Sequence, residues 1–441
     1  MLRFYTSNIS PSAYGSYEYI YSFINVFVPA LFLELWSGVL RLAIDKSDKE
    51  IHKVVSTTFA MAIPATLVYT VVYFLITVYT QWTLRWITYV FAVELMLVNM
   101  MMMIARAQEK NMLFIISGIL GSAANAIVGF FCVRVLHLET EALIYAMIGN
   151  YTVQIVILGV GTKIWRHLRI TDICAKTAKD MLRFCWPLLP NTILYYLNTS
   201  YYMNVVQAYL GTEVLGLFTA STKFSVLVSF LVSVFHLAWQ ELTFSISGDQ
   251  NKQTVFGNGL NIFQSAAMLG TLTLLPLTKI AFPLFIGEGY AAAQSYIPAY
   301  YSTVYFTSLS GFLYNTLAAE RLTIAHPITR LVSATINMIL MYSLIHKLGI
   351  YAVIIGAVCS SAAEVLVLCL ILKKKVNLFV DLKRILLFCA LYIALALIYV
   401  ACDKWINGIA ALVVLLVGTA HFLYEQKAMV SAILKSLRRS E

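Results

Sequence analysis

The stretch Pro187-Leu-Leu-Pro-Asn-Thr-Ile-Leu-Tyr-Tyr196, followed through Gly211-Thr-Glu213 to Leu217-Phe-Thr-Ala-Ser-Thr-Lys-Phe-Ser-Val226, decides the fold class. It reads as a tyrosine-rich apolar helix over 187–210, a short break, and a second helix over 213–243 that carries Lys223. Between Glu213 and Glu241 there is no acidic residue to pair with that lysine. A lysine inside an apolar span costs roughly 2.5–3.5 kcal/mol at the bilayer centre, so such a residue faces a water-filled cavity or a partner helix. The rest of the chain reads as scaffold around that cavity.

Composition sets the class independently. Of 441 residues, 60% are hydrophobic and 12% charged, against roughly 25% charged in an ordinary soluble domain. This is an all-α polytopic membrane protein. Its seven cysteines stand singly, mostly in apolar runs, with no C-x-x-C pair, and the seven histidines are equally scattered. That pattern predicts packing cysteines, no metal site and no bound cofactor. No H-E-x-x-H, P-loop or G-x-S-x-G motif is present.

Apolar runs long enough to cross a bilayer, about 20 residues each, fall near 14–40, 54–78, 83–105, 113–135 and 142–164. Segment 165–186 differs. Ile170, Ile173, Cys174, Ala178 and Met181 recur at helical spacing opposite Arg169, Lys176, Lys179 and Arg183, which predicts an interfacial amphipathic helix. Further spans follow near 187–210, 213–243, 257–286, 296–318, 326–346, 350–372, 385–402 and 405–424, about 13 in all. The expected organisation is an N-terminal bundle over 1–164 with five spans, a cytoplasmic linker over 165–186, a six-helix bundle over 187–372, and two extra spans with a basic tail over 373–441.

Lysine and arginine fix the orientation. Of 31 basic residues, 24 lie in one set of alternate loops and helix ends, six in the opposite set, and Lys223 within a helix. The positive-inside rule places the richer set in the cytoplasm and the N-terminus outside. The net charge of +10 therefore reflects topology and anionic headgroups, and nucleic acid is not an expected partner.

An internal repeat runs through the chain. Without gaps, Ile9-Ser-Pro-Ser-Ala-Tyr-Gly-Ser-Tyr-Glu-Tyr-Ile-Tyr-Ser-Phe23 aligns with Leu210–Phe224, matching Gly15 to Gly216, Tyr17 to Phe218 and Phe23 to Phe224. A second echo links Ala107-Gln-Glu-Lys110 to Ala318-Ala-Glu-Arg321, with Ser122-Ala123 falling on Ser333-Ala334. Two halves related by an axis along the membrane normal are a known transporter plan. In the second half a whole helix precedes the repeated segment; in the first only eight residues do. The expectation is that the first half lacks its first helix and that further residues precede Met1.

At Ile9-Ser-Pro-Ser-Ala-Tyr-Gly15, Ala105-Arg-Ala-Gln-Glu-Lys-Asn111, Phe184-Cys-Trp-Pro-Leu-Leu-Pro-Asn191, Gly216–Lys223, Leu237-Ala-Trp-Gln240 and Phe285-Ile-Gly-Glu-Gly-Tyr290, the chain resembles a known group. It is the polysaccharide exporter branch of the superfamily of multidrug and toxin extruders, Wzx-type oligosaccharide-lipid flippases and the lipid II flippase. The resemblance implies a MATE-like pair of helical bundles around a central cavity, in a multi-pass protein of the bacterial inner membrane. It implies a flippase rather than an enzyme, moving an undecaprenyl-pyrophosphate-linked oligosaccharide for O-antigen (lipopolysaccharide), capsule or exopolysaccharide assembly. Membrane lipids and other polysaccharide-assembly proteins are its implied partners.

Such a cargo has an anionic pyrophosphate, many hydroxyls and an apolar tail. Lys223 can meet the pyrophosphate as a point charge, or else it snorkels or makes a structural pair. Arg41 and Arg330, at cytoplasmic helix ends, can receive the substrate, or serve as positive-inside anchors. Asn191, Asn198, Asn204, Gln207, Tyr195, Tyr196, Tyr201 and Tyr202 make the 187–210 helix unusually polar. Among them Asn198 and Tyr202 are the chosen substrate contacts. Glu34, Glu94, Glu241 and Glu364 lie in or near spans, where coupling to protons or sodium would need one. A multidrug extruder of the same fold is the closest rival. A glycan-assembly enzyme ranks below it, because the outward loops are short.

Overall fold

The computed structural model describes residues 1–441 except 44–47, 80–81, 246–251, 321, 323–324, 379 and 426–441, so the basic tail and Arg321 lie outside the described residues. Eighteen α-helices and two 3-10 segments make up the secondary structure, with no strand among the described residues. Two compact units emerge: Met1 with Asn8–Gln207, and Leu2–Ser7 with Ala208–Glu441.

The helices of the first unit are α1 (Leu2–Asn8, whose residues 2–7 pack in the second unit), α2 (Pro11–Leu31), α3 (Leu35–Ala43), α4 (Asp48–Tyr79), α5 (Arg85–Ala107), α6 (Asn111–Arg134) and α7 (Thr140–Thr162). Then come α8 (Ile164–His167), α9 (Ala175–Cys185), α10 (Leu188–Thr199) and the start of α11 (Tyr202–Thr222). The Ser10-Pro11 pair opens α2: the Ser10 hydroxyl accepts from the Ala13 amide at 3.3 Å, and proline fits the first turn, where an amide would be unpaired anyway. Pro29 and two left-handed residues, Leu33 (φ 53°) and Glu34 (φ 48°), bend the α2–α3 pair by 55°. The buried side chains of Phe32, Leu35 and Val39 share one hydrophobic core with Phe91, Met100 and Ile104 of α5. A Cβ on Gly38 would stand 2.7 Å from Met181 Cγ and 2.9 Å from Cys185 Sγ, so α3 meets α9 closely only because residue 38 is glycine.

The linker is more broken than the expected single helix over 165–186. Left-handed Lys163 ends α7, Leu168 and Arg169 are extended, a 3-10 turn covers Ile170–Asp172, and α9 starts at Ala175. Side chains of α4 hold the segment in place: Thr57 Oγ1 accepts from the Cys174 amide at 3.1 Å. Met181 and Cys185 are buried while Ile170 and Ile173 are exposed, so the apolar face divides between the unit's core and the surroundings.

The second unit continues α11 and adds α12 (Ser225–Ser245), α13 (Lys252–Phe285), α14 (Ile297–Ala319), α15 (Ala325–Leu348), α16 (Ile350–Lys375), α17 (Leu382–Ala401) and α18 (Lys404–Glu425). Stacked rings of Trp239, Phe312 and Phe263, with centroids 4.5 and 4.7 Å apart, fill its core. Gly287 donates its amide to Thr6 Oγ1 at 2.8 Å, which fixes the N-terminal turn here. The last two helices are part of this unit: Phe388 stacks on Tyr305 at 3.8 Å, and Arg384 pairs with Glu425 at 3.0 Å. The expected boundary at 186/187 falls inside the first unit, which runs on to Gln207.

Nine described helices are long and apolar enough to cross a membrane, and the bent α2–α3 pair makes ten. The other three expected spans coincide with α10 and the first part of α11, with the rest of α11 and α12, and with α14. Exposed leucine, isoleucine and valine side chains on α4, α6, α17 and α18 form the surface that such helices turn to lipid. This is a multi-pass membrane protein.

The tyrosine-rich stretch is helical with more interruptions than its sequence suggests. The break at Gly211 is present, with φ 87°, a conformation open to glycine. Two others are additional, at Ser200-Tyr201 and Lys223-Phe224. Before the first, Asn198 and Thr199 donate to the carbonyls of Leu194 and Tyr195. Around the second, Ser221, Thr222 and Ser225 donate to the carbonyls of Phe218, Thr219 and Thr222. Hydroxyls that bond back to the helix compete with its own ladder and favour such breaks.

Candidate functional site

Within the first unit, α2, α10 and the start of α11 form a polar seam. Thr192 on α10 donates to the Glu34 carboxylate at the α2–α3 bend, and Ser22 donates to the Ser200 carbonyl at 3.4 Å, where α10 ends. Asn204 donates to the Tyr196 hydroxyl. From α2 an aromatic ladder crosses to α5 and α7, running from Tyr17 to Tyr21, Phe91 and Tyr151, with successive centroids 5.9, 6.2 and 5.8 Å apart. Glu18 is buried on the same helix. It sits in the run Tyr17-Glu-Tyr19, an acid inside the first span that could have been singled out from sequence.

A cavity of about 600 Å³ opens beside this seam. Tyr19, Phe23 and Trp82 supply its aromatic wall, and Ser16, Glu141 and Gln207 its polar one. The rings of Tyr19 and Trp82 are stacked at 6.4 Å. Gln207 Oε1 is buried and has no hydrogen-bond partner among the described residues, a costly state for an amide oxygen. The arrangement offers ring faces together with hydrogen-bonding and acidic groups, the pattern of a small-molecule site.

The sequence-chosen residues divide between the units. Arg41 lies exposed in the last turn of α3. Asn198 is half-buried on α10, with its amide donating to Leu194 O at 3.0 Å, and Tyr202 opens α11. Lys223 is half-buried, at the interruption between α11 and α12 rather than within a continuous helix. Arg330 on α15 sits within electrostatic range of Tyr314, His326 and Glu364, and the Tyr314 and His326 rings lie 3.6 Å apart. Of the other acids, Glu94 accepts from Thr152 at 2.7 Å, and its second oxygen is buried with no hydrogen-bond partner among the described residues. The Glu241 side chain lies outside the described residues. No group of three or more metal-ligating side chains occurs among the described residues.

Two solved structures share the fold across nearly the whole chain. A lipid II flippase, MurJ, in an inward closed conformation aligns with a TM-score of 0.71 at 17% identity, over 96% of this chain and 95% of that one. An inward-facing MATE-family multidrug resistance transporter aligns with a TM-score of 0.69 at 14% identity, over 88% of this chain and 93% of that one. No curated protein sequence matches. The family described as polysaccharide biosynthesis protein matches residues 2–239. With more than half of its sequence covered by that family, this chain belongs to the polysaccharide biosynthesis protein family, on a fold of the MATE and MurJ type.

Proposed function

We propose that this protein is a flippase carrying an undecaprenyl-pyrophosphate-linked oligosaccharide across the bacterial inner membrane for surface-polysaccharide assembly. The cavity of about 600 Å³ in the first unit carries the reading: stacked Tyr19 and Trp82 suit a sugar ring, and the buried Gln207 oxygen suits a sugar hydroxyl. In this reading Lys223 meets the pyrophosphate, and Arg41 and Arg330 receive it from the donor leaflet. Asn198 and Tyr202 contact the glycan. Coupling is to protons or sodium, and Glu94, with one carboxylate oxygen left without a hydrogen bond, is the residue proposed to carry it. Membrane lipids and polysaccharide-assembly proteins are the proposed partners.

Trp82→Ala and Gln207→Leu, each expressed in a strain lacking the chromosomal gene, test the reading. Surface glycan should fall while the amount of protein in the membrane stays constant. Unchanged export by both variants would remove the cavity from the pathway. One observation favours a second reading, multidrug extrusion: Glu141 beside Tyr19 and Trp82 also suits an organic cation. Ethidium efflux that depends on Glu141, with glycan export unaffected, would favour the extruder.

A further inference from the structure

A second cavity of the first unit, about 520 Å³, lies on the face that the basic-residue bias assigns to the cytoplasm. It is walled by the start of α4, the α5–α6 turn and the end of α7 with α8. Lys110, Lys163, Arg166 and Arg169 line it, with Glu109 as the carboxylate in the lining and the imidazoles of His52 and His167 at its side. We propose that this pocket binds a phosphate dianion or diphosphate group, at a site separate from the glycan cavity and independent of which cargo is carried.

Four permanent cations face one carboxylate in the lining. The side chains of Lys163, Arg166 and Arg169 make no hydrogen bond or ion pair among the described residues. Grouped cations without carboxylate partners repel one another and raise the local concentration of anions. Guanidinium groups add the fork of donors that matches phosphate oxygens.

The walls are held in place by contacts that leave the side chains of Lys163, Arg166 and Arg169 available. Lys110 donates to the Gly161 carbonyl at 2.9 Å and closes the end of α7. Ser56 donates to the His167 carbonyl at 2.6 Å and accepts from the Arg169 amide at 3.0 Å, which fixes the segment 167–169 against α4. The Gln108 side-chain amide and His167 Nε2 are hydrogen-bonded at 3.0 Å. Left-handed backbone at Glu109 (φ 58°) and Lys163 (φ 53°) turns the chain back at the ends of α5 and α7. Deeper in, His52 Nδ1 and Gln108 Oε1 are buried without a hydrogen-bond partner among the described residues. The His52 and His167 rings lie 4.3 Å apart. The cavity's size is that of a small-molecule site.

The chemistry fits a soluble phosphorylated compound or an anionic lipid headgroup, and the test separates the two. The full chain, purified in an uncharged detergent, is titrated with inorganic pyrophosphate and followed by thermal unfolding. In parallel, it is embedded in phosphatidylcholine nanodiscs containing phosphatidic acid, and retained lipid is counted by native mass spectrometry. The double variant Arg166→Gln/Arg169→Gln should bind roughly tenfold more weakly or worse, and Arg166→Lys/Arg169→Lys should keep part of the affinity. A pyrophosphate shift that the Gln variant loses identifies a soluble ligand. Phosphatidic acid retained by the wild type alone, with no pyrophosphate shift, identifies a headgroup. Lys163→Gln gives the same reading if the double variant is unstable. No response to either probe, or an equal response from wild type and variants, overturns the proposal.

Discussion

The two repeated segments break their long helices by different chemistry. In the first unit α2 runs on past its match to the repeat and bends at Phe32–Glu34, where Pro29 and two left-handed residues leave an acid at the bend with Thr192 donating to it. In the second, the matching stretch breaks at Lys223-Phe224 within a run of hydroxyls that bond back to the helix, and a lysine sits at the interruption. In both places an ionisable residue stands where the helical ladder is already broken. Such a break supplies polar backbone that an intact apolar helix lacks. The first bend is braced by neighbouring side chains, whereas the second lies beside a half-buried charge. The proposed function gives the lysine to the substrate, and the comparison between the two breaks is what tests it.

The largest effect expected from this contrast belongs to Lys223→Gln. Glycan export should be abolished at an unchanged membrane level of protein, with Lys223→Arg retaining part of it. Full export by the Gln variant would make both breaks structural and erase the contrast. Gly38→Val attacks the brace of the first bend, where a Cβ meets Met181 and Cys185. Overpacking of this kind costs about 1–3 kcal/mol, to be read as a lower unfolding temperature of the purified protein. Thr192→Val removes the donor to Glu34 and should cost about 1 kcal/mol, with Thr192→Ser restoring it. A Thr192→Val protein as stable as wild type would show that the bend does not depend on that bond.

The smallest effect is on thiol reactivity in the linker between α7 and α10. Hydrogen bonds from Thr177 and the start of α9 hold the Cys174 thiol below its ordinary pKa, whereas burial beside Gly38 pushes Cys185 up to about 11. Near pH 8 Cys174 therefore carries more thiolate than an ordinary cysteine, and Cys185 very little. Maleimide applied to inverted vesicles should label Cys174 well before Cys185, and should fail to label Cys174 from outside intact cells. Labelling from outside would reverse the orientation drawn from the basic residues.

Much of the fold was legible because a few residues impose their geometry alone. Gly211 takes a backbone angle that glycine reaches easily, at the break expected there, whereas the Ser10-Pro11 start of α2 precedes the expected start of the first span near 14. The paired motifs at 107–110 and 318–321 lie near helix ends but one residue out of register: α5 ends at Ala107 and α14 at Ala319, whereas the alignment pairs Ala107 with Ala318, and Glu109 is left-handed (φ 58°) where Glu320 is not (φ −82°). The breaks at Ser200 and Lys223 were not legible. They depend on a balance between hydroxyl and backbone bonds that composition does not resolve. Nor were the two cavities legible as sites. Tyr19, Trp82, Glu141 and Gln207 come from separate helices and turns, as do His52 and His167, and only packing brings each set together.

The most direct measurement is translocation itself. The purified chain, reconstituted in liposomes with a fluorescent undecaprenyl-pyrophosphate-linked oligosaccharide, is challenged with an external glycosidase that removes only exposed sugar. An imposed proton or sodium gradient should carry nearly all of the labelled glycan to the accessible face, and liposomes without protein should stop near half. Protection that stays near half with the protein present, in vesicles that transport ethidium under the same gradient, would contradict the flippase account.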